Sequence, residues 1–205
     1  MSEINRSIYG EYESALEHVK NEIVERLLGY RDSVEQETGE KGFEHLTARI
    51  KSDESMREKC RRKGLPETPE SALFHLKDAI GIRVVCSFVD EVYAVVDFIS
   101  KLVNCDIVEE KDYIRHAKAN GYRSYHMIIA VKNEIKDVNG NIPGVYFVEL
   151  QIRTIAMDTW AALEHRMKYK KDIPNQELLV AELKRVADEL ASCDLSMQTI
   201  KELIN

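Results

Sequence analysis

The densest group of charged side chains in the sequence surrounds a short apolar segment near residue 50. Arg49 and Lys51 flank Ile50, so on a β-strand the two cations would project from one face. The next segment has helical spacing and carries three polar residues on a single stripe: Ser55, Lys59 and Arg62. Cations that converge from a strand and the following helix suit a ligand with several phosphates, but a solvated basic helix face would leave the same pattern.

Two carboxylates lie beside segments whose apolar patterns predict buried strands. Asp78 precedes the β-rich segment that contains Arg83, and Glu149 alternates with apolar residues on the same face as Gln151 and Arg153. A buried carboxylate must be paired or bound to a metal, so Asp78 forms either a structural ion pair or part of a cation site. If the two strands are neighbours, Asp78 and Glu149 offer the hard oxygen ligands that suit Mg²⁺.

An aromatic and basic segment leads into another predicted strand. The Asn120-Gly121 pair predicts a tight turn, after which Tyr122 and His126 are expected to share one strand face. An aromatic ring near Lys118 could stack on a base while the cations, including Lys111 upstream, bind phosphate. Ordinary aromatic packing in a solvated hairpin is the alternative.

The helical segment after the last strand adds further polar side chains. Asp158, Glu164 and His165 lie on it, and a lone histidine of this kind is more often structural than a ligand. The chain has neither a G-x-x-x-x-G-K-[ST] loop nor a G-x-G-x-x-G motif. Phosphate groups would therefore be held by side chains rather than by a glycine-rich backbone cradle.

Composition restricts the class of protein. Of the 205 residues, 44 % are hydrophobic and 32 % are charged, which is enough apolar material for a folded core. The net charge of −7 argues against bulk nucleic acid as the main partner, so we expect no nucleic acid to be required. No secretory leader or membrane-spanning run is expected, and the chain is predicted to be cytoplasmic. The cysteines are interpreted as idle thiols: Cys60, Cys86, Cys105 and Cys193.

The elements that position these residues follow from hydrophobic spacing. Helices are predicted over 8–28, 53–63, 89–103, 156–170 and from Pro174 onward; strands are predicted over 45–51, 82–88, 124–131 and 146–152. This pattern predicts an α+β fold with a mixed β-sheet flanked by helices, in one domain that spans 1–205. Its core is expected over about 43–170. The helical extensions at 6–29 and 175–203 carry apolar stripes that a single sheet cannot fully cover, so they are predicted to form a homo-oligomer.

Five segments together resemble the synthetase domain of the RelA/SpoT alarmone enzymes, and in particular the small stand-alone synthetases of the RelQ type. They are HLTARIKS at 45–52, DAIGIR at 78–83, NGYRSYH at 120–126, VELQIRT at 148–154 and WAALEH at 160–165. The resemblance implies a nucleotidyltransferase-like sheet, a tetramer and a GTP diphosphokinase. Such an enzyme moves the β,γ-pyrophosphate of ATP to the 3′-hydroxyl of GDP or GTP, which yields ppGpp or pppGpp and AMP in the stringent response.

The resemblance also implies roles for individual residues. The ATP-binding set would be Arg49, Lys51, Ser55, Lys59, Arg62 and Arg83, with the first and last sandwiching adenine. The set that binds GDP or GTP would be Lys111, Lys118, Asn120, Tyr122, His126, Gln151, Asp158 and Glu164, with Tyr122 stacking on guanine. Asp78 and Glu149 would be the catalytic carboxylates and hold Mg²⁺, with the role of Glu149 left open between metal ligand and general base.

The chain departs from the family pattern at two of these positions. Lys118 lies between alanines where the family often has an adjacent proline, and Asp158 replaces a frequent asparagine. Other readings of the same fold remain. A nucleotidyl-transferring enzyme would usually carry a D-x-D pair, which is absent beside Asp78, and a non-catalytic nucleotide or RNA sensor would be expected to lose Asp78 or Glu149. A hydrolase is disfavoured because the sequence has no His-Asp dipeptide.

Overall fold

The computed structural model describes residues 7–168 and 175–204. The helices in chain order are α1 (Glu13–Thr38), α2 (Asp53–Lys63), α3 (Val89–Ser100), α4 (Ile155–Lys168) and α5 (Gln176–Ile204). The strands are β1 (His45–Ile50), β2 (Ile80–Cys86), β3 (Cys105–Asp112), β4 (Tyr125–Asn133) and β5 (Gly144–Thr154). A 3₁₀ turn at Gly10–Tyr12 precedes α1, and a π-helical turn at Ser71–His75 precedes β2.

The strands form one five-stranded mixed sheet in the order β1-β2-β5-β4-β3. The central pair, β2 and β5, is parallel, and the other neighbours are antiparallel. This arrangement confirms the predicted α+β class with a mixed sheet. It also places the strand that follows Asp78 directly beside the strand that carries Glu149.

Helices α1 and α3 cover one face of the sheet. Their buried apolar residues pack against the inward-facing residues of the strands in a single core that includes Leu16, Val19, Ile23, Val92, Val95, Ile82, Val84, Leu150 and Ile152. Burial of each large apolar side chain stabilises the fold by about 1.5–3 kcal/mol. Because the strand residues alternate, the other face of the sheet is left to polar and charged side chains.

The structure corrects several predicted boundaries. Helix α1 begins later than predicted and runs on to Thr38, because residues 29–38 are mostly polar and carry little hydrophobic signal. It ends at Gly39, whose φ of 76° provides a left-handed cap. Strand β3 was not predicted, since it is an edge strand with mostly exposed, charged residues. The predicted ends at residue 6, at 169–170 and at Pro174 lie outside the described residues.

The two terminal helices differ in how much of their apolar surface is covered. The apolar stripe on α1 is buried in the core of its own chain, so it supplies no exposed surface for a partner subunit, and the role of this helix in an oligomer stays a prediction. Helix α5 packs against Trp160 through Leu183, Val186 and Leu190, yet its distal part leaves large apolar side chains exposed: Leu195, Ile200, Leu203 and Ile204. Among the described residues, no helix is long and apolar enough to cross a bilayer.

Candidate active site

Two rows of side chains cross the open face of the sheet. In strand order, the first row is Thr47, Arg83, Gln151, His126 and Lys111. The second row is Arg49, Gly81, Glu149, Ile128 and Glu109. The pairing register thus brings candidate residues from all five strands onto one surface.

Two cavities open on this face, and Glu149 lines both of them. The first, of about 150 Å³, lies over β1, β2 and β5 and is lined by Thr47, Arg49, Gly81, Arg83, Glu149 and Gln151. The second, of about 90 Å³, lies over β3, β4 and β5 and is lined by Glu109, Lys111, His126, Met127, Ile128 and Glu149. The arrangement offers two adjacent polar compartments that meet at a single carboxylate.

Asp78 lies two residues before β2, and two lysines contact one of its oxygens. Lys51 and Lys59 both contact Oδ2, the latter at 2.5 Å, and the carboxylate is only 8 % exposed. The other oxygen, Oδ1, is buried and has no hydrogen-bond partner. A buried, unsatisfied carboxylate oxygen is costly unless it receives a ligand, and a hard cation is the ligand it suits best.

The charge of Asp78 affects the pKa of Glu149. Burial raises the pKa of Glu149, and the negative charge of Asp78 raises it further, while Lys51 and Lys59 act in the opposite direction. Among the described residues, no cluster of three or more metal-ligating side chains occurs. Proteins nevertheless usually bind Mg²⁺ through only one or two carboxylates, and substrate phosphates and waters complete the coordination. Asp78 and Glu149 fit that ion.

An aromatic cluster packs against His126, which lines the second cavity. The Nζ atom of Lys118 lies 4.4 Å from the ring centroid of Tyr113 and 4.9 Å from that of Tyr122. The Tyr122 hydroxyl is 2.7 Å from Nε2 of His126. Tyr122 precedes β4 rather than lying within it, so the prediction that Tyr122 and His126 share a strand face is wrong; the hydroxyl contact joins them instead.

The turn that presents Tyr122 is held by local hydrogen bonds and by close packing. Asn120 accepts from the backbone N–H of Tyr122 at 3.1 Å and donates its side-chain amide to Glu164 at 2.8 Å. Gly121 has a φ of 91°, and a Cβ atom there would lie 2.4 Å from Cβ of Ala187 on α5. Only glycine satisfies both conditions, which explains its position in the turn.

His126 is held neutral by its surroundings. Burial, together with the positive charges of Arg153, Lys118 and Lys111, lowers the pKa of His126 to about 4. Its Nδ1 atom lies 4.0 Å from Oε1 of Glu149. The imidazole therefore contributes hydrogen bonds to this cavity at neutral pH rather than a positive charge.

Other candidate residues have partners or positions that the sequence did not indicate. Ser55 pairs with Ser52, which caps the N-terminus of α2, and Lys111 forms an ion pair with Glu109. Arg62 lies on the exposed surface of α2. The structure thus brings Lys51 and Lys59 to Asp78 but does not bring Arg62 to the same contact.

One arginine that sequence reasoning left without a role lies at the centre of the site. Arg153 is 4 % exposed and contacts Asp158, Tyr122, Gln151 and Ser124. Asp158 in turn lies 3.4 Å from Nη1 of Arg83. The sequence signal was present, since Arg153 alternates with Glu149 and Gln151 and precedes Asp158 by five residues, but it did not reveal that the guanidinium is buried.

The chain resembles known proteins over most of its length. The family model described as "Region found in RelA / SpoT proteins" matches residues 48–174. GTP pyrophosphokinase YwaC of Bacillus subtilis is 39 % identical over 173 residues, which cover 82 % of this chain and 78 % of the relative. GTP pyrophosphokinase YjbM of the same organism is 32 % identical over 190 residues, which cover 93 % and 85 %.

The fold agrees with a solved structure in the same group. The crystal structure of small alarmone synthetase 1 from Bacillus subtilis, bound to its product pppGpp, superposes with a TM-score of 0.76 at 31 % identity. The superposition covers 95 % of this chain and 94 % of that one. The resemblance inferred from the five sequence segments is therefore confirmed, and the chain belongs to the RelA/SpoT family.

Proposed function

We propose that this chain is a GTP pyrophosphokinase, which transfers the β,γ-pyrophosphate of ATP to the 3′-hydroxyl of GDP or GTP and releases AMP. The observation that carries the proposal is that Glu149 lines two adjacent cavities, one of which is also lined by Arg49 and Arg83 and the other by Lys111 and His126. The names of the relatives that match most of the chain, and the product bound to the solved synthetase, support it.

ATP occupies the cavity over β1, β2 and β5 in this proposal. The guanidinium planes of Arg49 and Arg83 stack on adenine, which suits the weakly hydrated, delocalised arginine cation. Lys51 and Lys59 turn from Asp78 to the phosphates, with Ser55 and Arg62 on the same side of α2. In the free protein these lysines pair with Asp78, so the buried carboxylate is not left unpaired. The same lysines remain beside the proposed ATP cavity.

Mg²⁺ is proposed to bind between Asp78 and Glu149. The unsatisfied Oδ1 of Asp78 and the raised pKa of Glu149 both indicate a site that gains from an added positive charge. Bound there, the ion would neutralise charge on the phosphate oxygens of ATP. The protein itself supplies the two carboxylates, and Lys51 and Lys59 balance the charge of Asp78.

The guanosine nucleotide occupies the second cavity. Tyr122 stacks on guanine, and Lys118, whose ammonium group already lies over two tyrosine rings, reaches the 5′-phosphates together with Lys111. His126 donates a hydrogen bond to the same phosphates or to the ribose. The remaining residues of this set border the base or order the turn: Asn120, Gln151, Asp158 and Glu164.

Catalysis rests mainly on position and electrostatics. Glu149 lines both cavities, so in this proposal its carboxylate lies beside the hydroxyl that attacks the β-phosphorus. Glu149 serves either as a ligand of Mg²⁺ or as the general base that accepts the hydroxyl proton. The lysines at Asp78 oppose the charge that develops on the leaving AMP and on the transferred pyrophosphate.

The test is a product analysis by anion-exchange chromatography. Purified protein is incubated with ATP, GDP and Mg²⁺, with GTP in a parallel reaction. The proposal expects AMP and a guanosine nucleotide with two added phosphates, in equal amounts. Release of inorganic pyrophosphate with an adenylated product would indicate nucleotidyl transfer, and unchanged nucleotides that nevertheless bind would indicate a sensor; either result contradicts the proposal.

We also propose that the chain assembles into a homo-oligomer, and a tetramer is what the family suggests. The sequence argument used apolar stripes on both terminal helices, but only the stripe on α5 is exposed in the structure. The exposed apolar residues on the distal part of α5 supply the argument: Leu195, Ile200, Leu203 and Ile204. No nucleic acid is required for this assembly or for the reaction. Multi-angle light scattering at micromolar concentration tests it, and a monomeric mass would contradict it.

A further inference from the structure

Arg153 is a buried cation with all of its donor nitrogens engaged. Nη2 donates to the Tyr122 hydroxyl and to Oε1 of Gln151, both at 2.7 Å. Nη1 donates to Oδ1 of Asp158 at 3.0 Å, and Nε donates to Oγ of Ser124 at 3.3 Å. A buried charge is tolerated only when its hydrogen bonds are satisfied, and here they are satisfied largely by residues that line or border the proposed nucleotide cavities.

The chemistry of arginine fixes the direction of these hydrogen bonds. A guanidinium group only donates, so the oxygen of the Tyr122 hydroxyl accepts from Arg153. Of the two described partners of this hydroxyl, only Nε2 of His126, 2.7 Å away, can accept a hydrogen bond, so the hydroxyl hydrogen is assigned to it. In a neutral imidazole whose Nε2 accepts, the proton lies on Nδ1, which is the nitrogen 4.0 Å from Oε1 of Glu149. One chain of donors thus runs from Arg153 through Tyr122 to the edge of the catalytic carboxylate.

The same guanidinium also holds the aromatic ring and touches the other cavity. Its Cζ atom lies 5.3 Å from the centroid of the Tyr122 ring, which is the range of a cation–π contact. Asp158, which accepts from Arg153, lies 3.4 Å from Nη1 of Arg83. Arg153 therefore contacts Tyr122, the ring proposed to stack on guanine, and is connected through Asp158 to Arg83, which is proposed to stack on adenine.

We propose that Arg153 is a positioning residue, which orients the Tyr122 ring and fixes His126 in the tautomer that accepts at Nε2 and donates from Nδ1. The consequence is a defined N–H donor beside Glu149 in the acceptor cavity. The tautomer part depends only on the contacts in the free protein. The kinetic part rests on the proposed function, since it assumes that Tyr122 and His126 bind the guanosine nucleotide.

The variants separate this role from a purely structural one. Tyr122→Phe removes a single oxygen and leaves the ring, so it breaks the donor chain with little change in packing. Arg153→Met removes the cation, and Arg153→Lys keeps the charge but cannot form the planar fork that reaches several acceptors. Arg26→Met is the matched control, because Arg26 is a partly buried arginine on α1 that donates to the Val103 carbonyl at 2.7 Å and contacts no site residue among its described partners.

The first readout is the tautomer of His126, from two-bond ¹H–¹⁵N correlation spectra of the free protein, with His126→Gln assigning the signal. We expect an unprotonated Nε2 in wild type and in Arg26→Met, and a shift toward the Nε2–H form in Tyr122→Phe and in Arg153→Met. A wild-type spectrum with the proton on Nε2, or an unchanged tautomer in both site variants, would overturn the proposal. Because no substrate is present, this result stands whether or not the chain synthesises an alarmone.

The second readout is the kinetic effect on each substrate. We expect Arg153→Met to lower kcat/KM for GDP by about tenfold or more, the scale of a lost hydrogen bond to a charged group. Arg153→Lys should not restore it, and Arg26→Met should match wild type. A variant at Arg153 that lowers only the melting temperature, while kcat/KM and the His126 tautomer stay unchanged, would assign the residue to stability and refute a positioning role.

Discussion

Gly121 offers a direct test of how the turn that carries Tyr122 is held against α5. In Gly121→Ala the new Cβ atom would lie 2.4 Å from Cβ of Ala187 and 3.3 Å from Cδ of Lys184. The lysine can move because it is a flexible side chain, but the Cβ of Ala187 is fixed by the helix backbone. The φ of 91° adds strain, since residues with a Cβ atom rarely adopt it.

The magnitude follows from these two contributions. The positive φ costs about 1–2 kcal/mol for a residue with a Cβ atom. Overpacking against Ala187 costs about 1–3 kcal/mol more, and the stiffer unfolded chain returns about 0.4–1 kcal/mol. The net loss of unfolding free energy is therefore about 1–5 kcal/mol, which lowers the melting temperature by roughly 2–20 °C in a chain of this size.

A double-mutant cycle measured by urea denaturation separates the two contributions. Ala187→Gly alone should cost about 1 kcal/mol as a glycine inside a helix. Combined with Gly121→Ala it should remove the overlap, so the double variant should lose less stability than the sum of the two single changes. Gly29→Ala is the control: nothing lies within 4 Å of its added Cβ, and it should raise stability by about 1 kcal/mol.

Two results would refute this reasoning. A Gly121→Ala protein as stable as wild type would mean that the turn is not packed against α5 in this way. Strict additivity in the cycle would mean that Ala187 is not the obstacle. Since Tyr122 adjoins the altered residue, we also expect a higher KM for GDP and little change for ATP, measured by initial rates in the single variant.

Three further predictions follow from the site and its surroundings. Tyr122→Ala should raise the KM for GDP and GTP while leaving ATP nearly unchanged, since base stacking contributes about 1–3 kcal/mol; an equal loss of ATP binding by calorimetry would contradict the two-cavity assignment. Lys59→Met should raise the KM for ATP or lower kcat without comparable loss of GDP binding, whereas Lys101→Met, at an exposed position, should do neither. Burial raises the pKa of Asp194, which accepts from Thr154, so ionisation at neutral pH destabilises the folded state. Asp194→Asn should therefore raise the melting temperature at pH 7, and the gain should shrink as the pH falls through the raised pKa toward about 4; a gain independent of pH would refute this account.

Hydrophobic alternation predicted the central part of the fold because its strands are apolar on the face that packs against helices. The segment around Glu149 alternates strictly, and its orientation in the structure is the one that the alternation indicates. Strand β3 escaped prediction because an edge strand needs no apolar face, and most of its residues are exposed. The polar second half of α1 was not predicted for a related reason, because helix formation there depends on local propensity rather than on burial.

The residue types of the candidate site could be read from the sequence, but their contacts could not. Alternation placed Arg153 on the same face as Glu149, yet only tertiary packing shows that it is buried beneath Tyr122 and joined to Asp158. Likewise, a cation stripe on α2 does not reveal that Lys59 reaches Asp78 across the chain. Such contacts depend on sheet order and on the approach of helices, which a pattern along one strand or helix does not determine.

The most direct test of the central claim compares the initial rate of guanosine-nucleotide pyrophosphorylation in three variants of buried or half-buried carboxylates. Asp78→Asn and Glu149→Gln should each fold and lose activity by about 100-fold or more, which corresponds to about 3 kcal/mol of transition-state stabilisation. Asp194→Asn is the matched control, because Asp194 is also buried with one unsatisfied oxygen but lies away from both cavities that meet at Glu149. It should retain a rate within about twofold of wild type. Near-wild-type rates in Asp78→Asn and Glu149→Gln would contradict the claim that these two carboxylates form the catalytic centre.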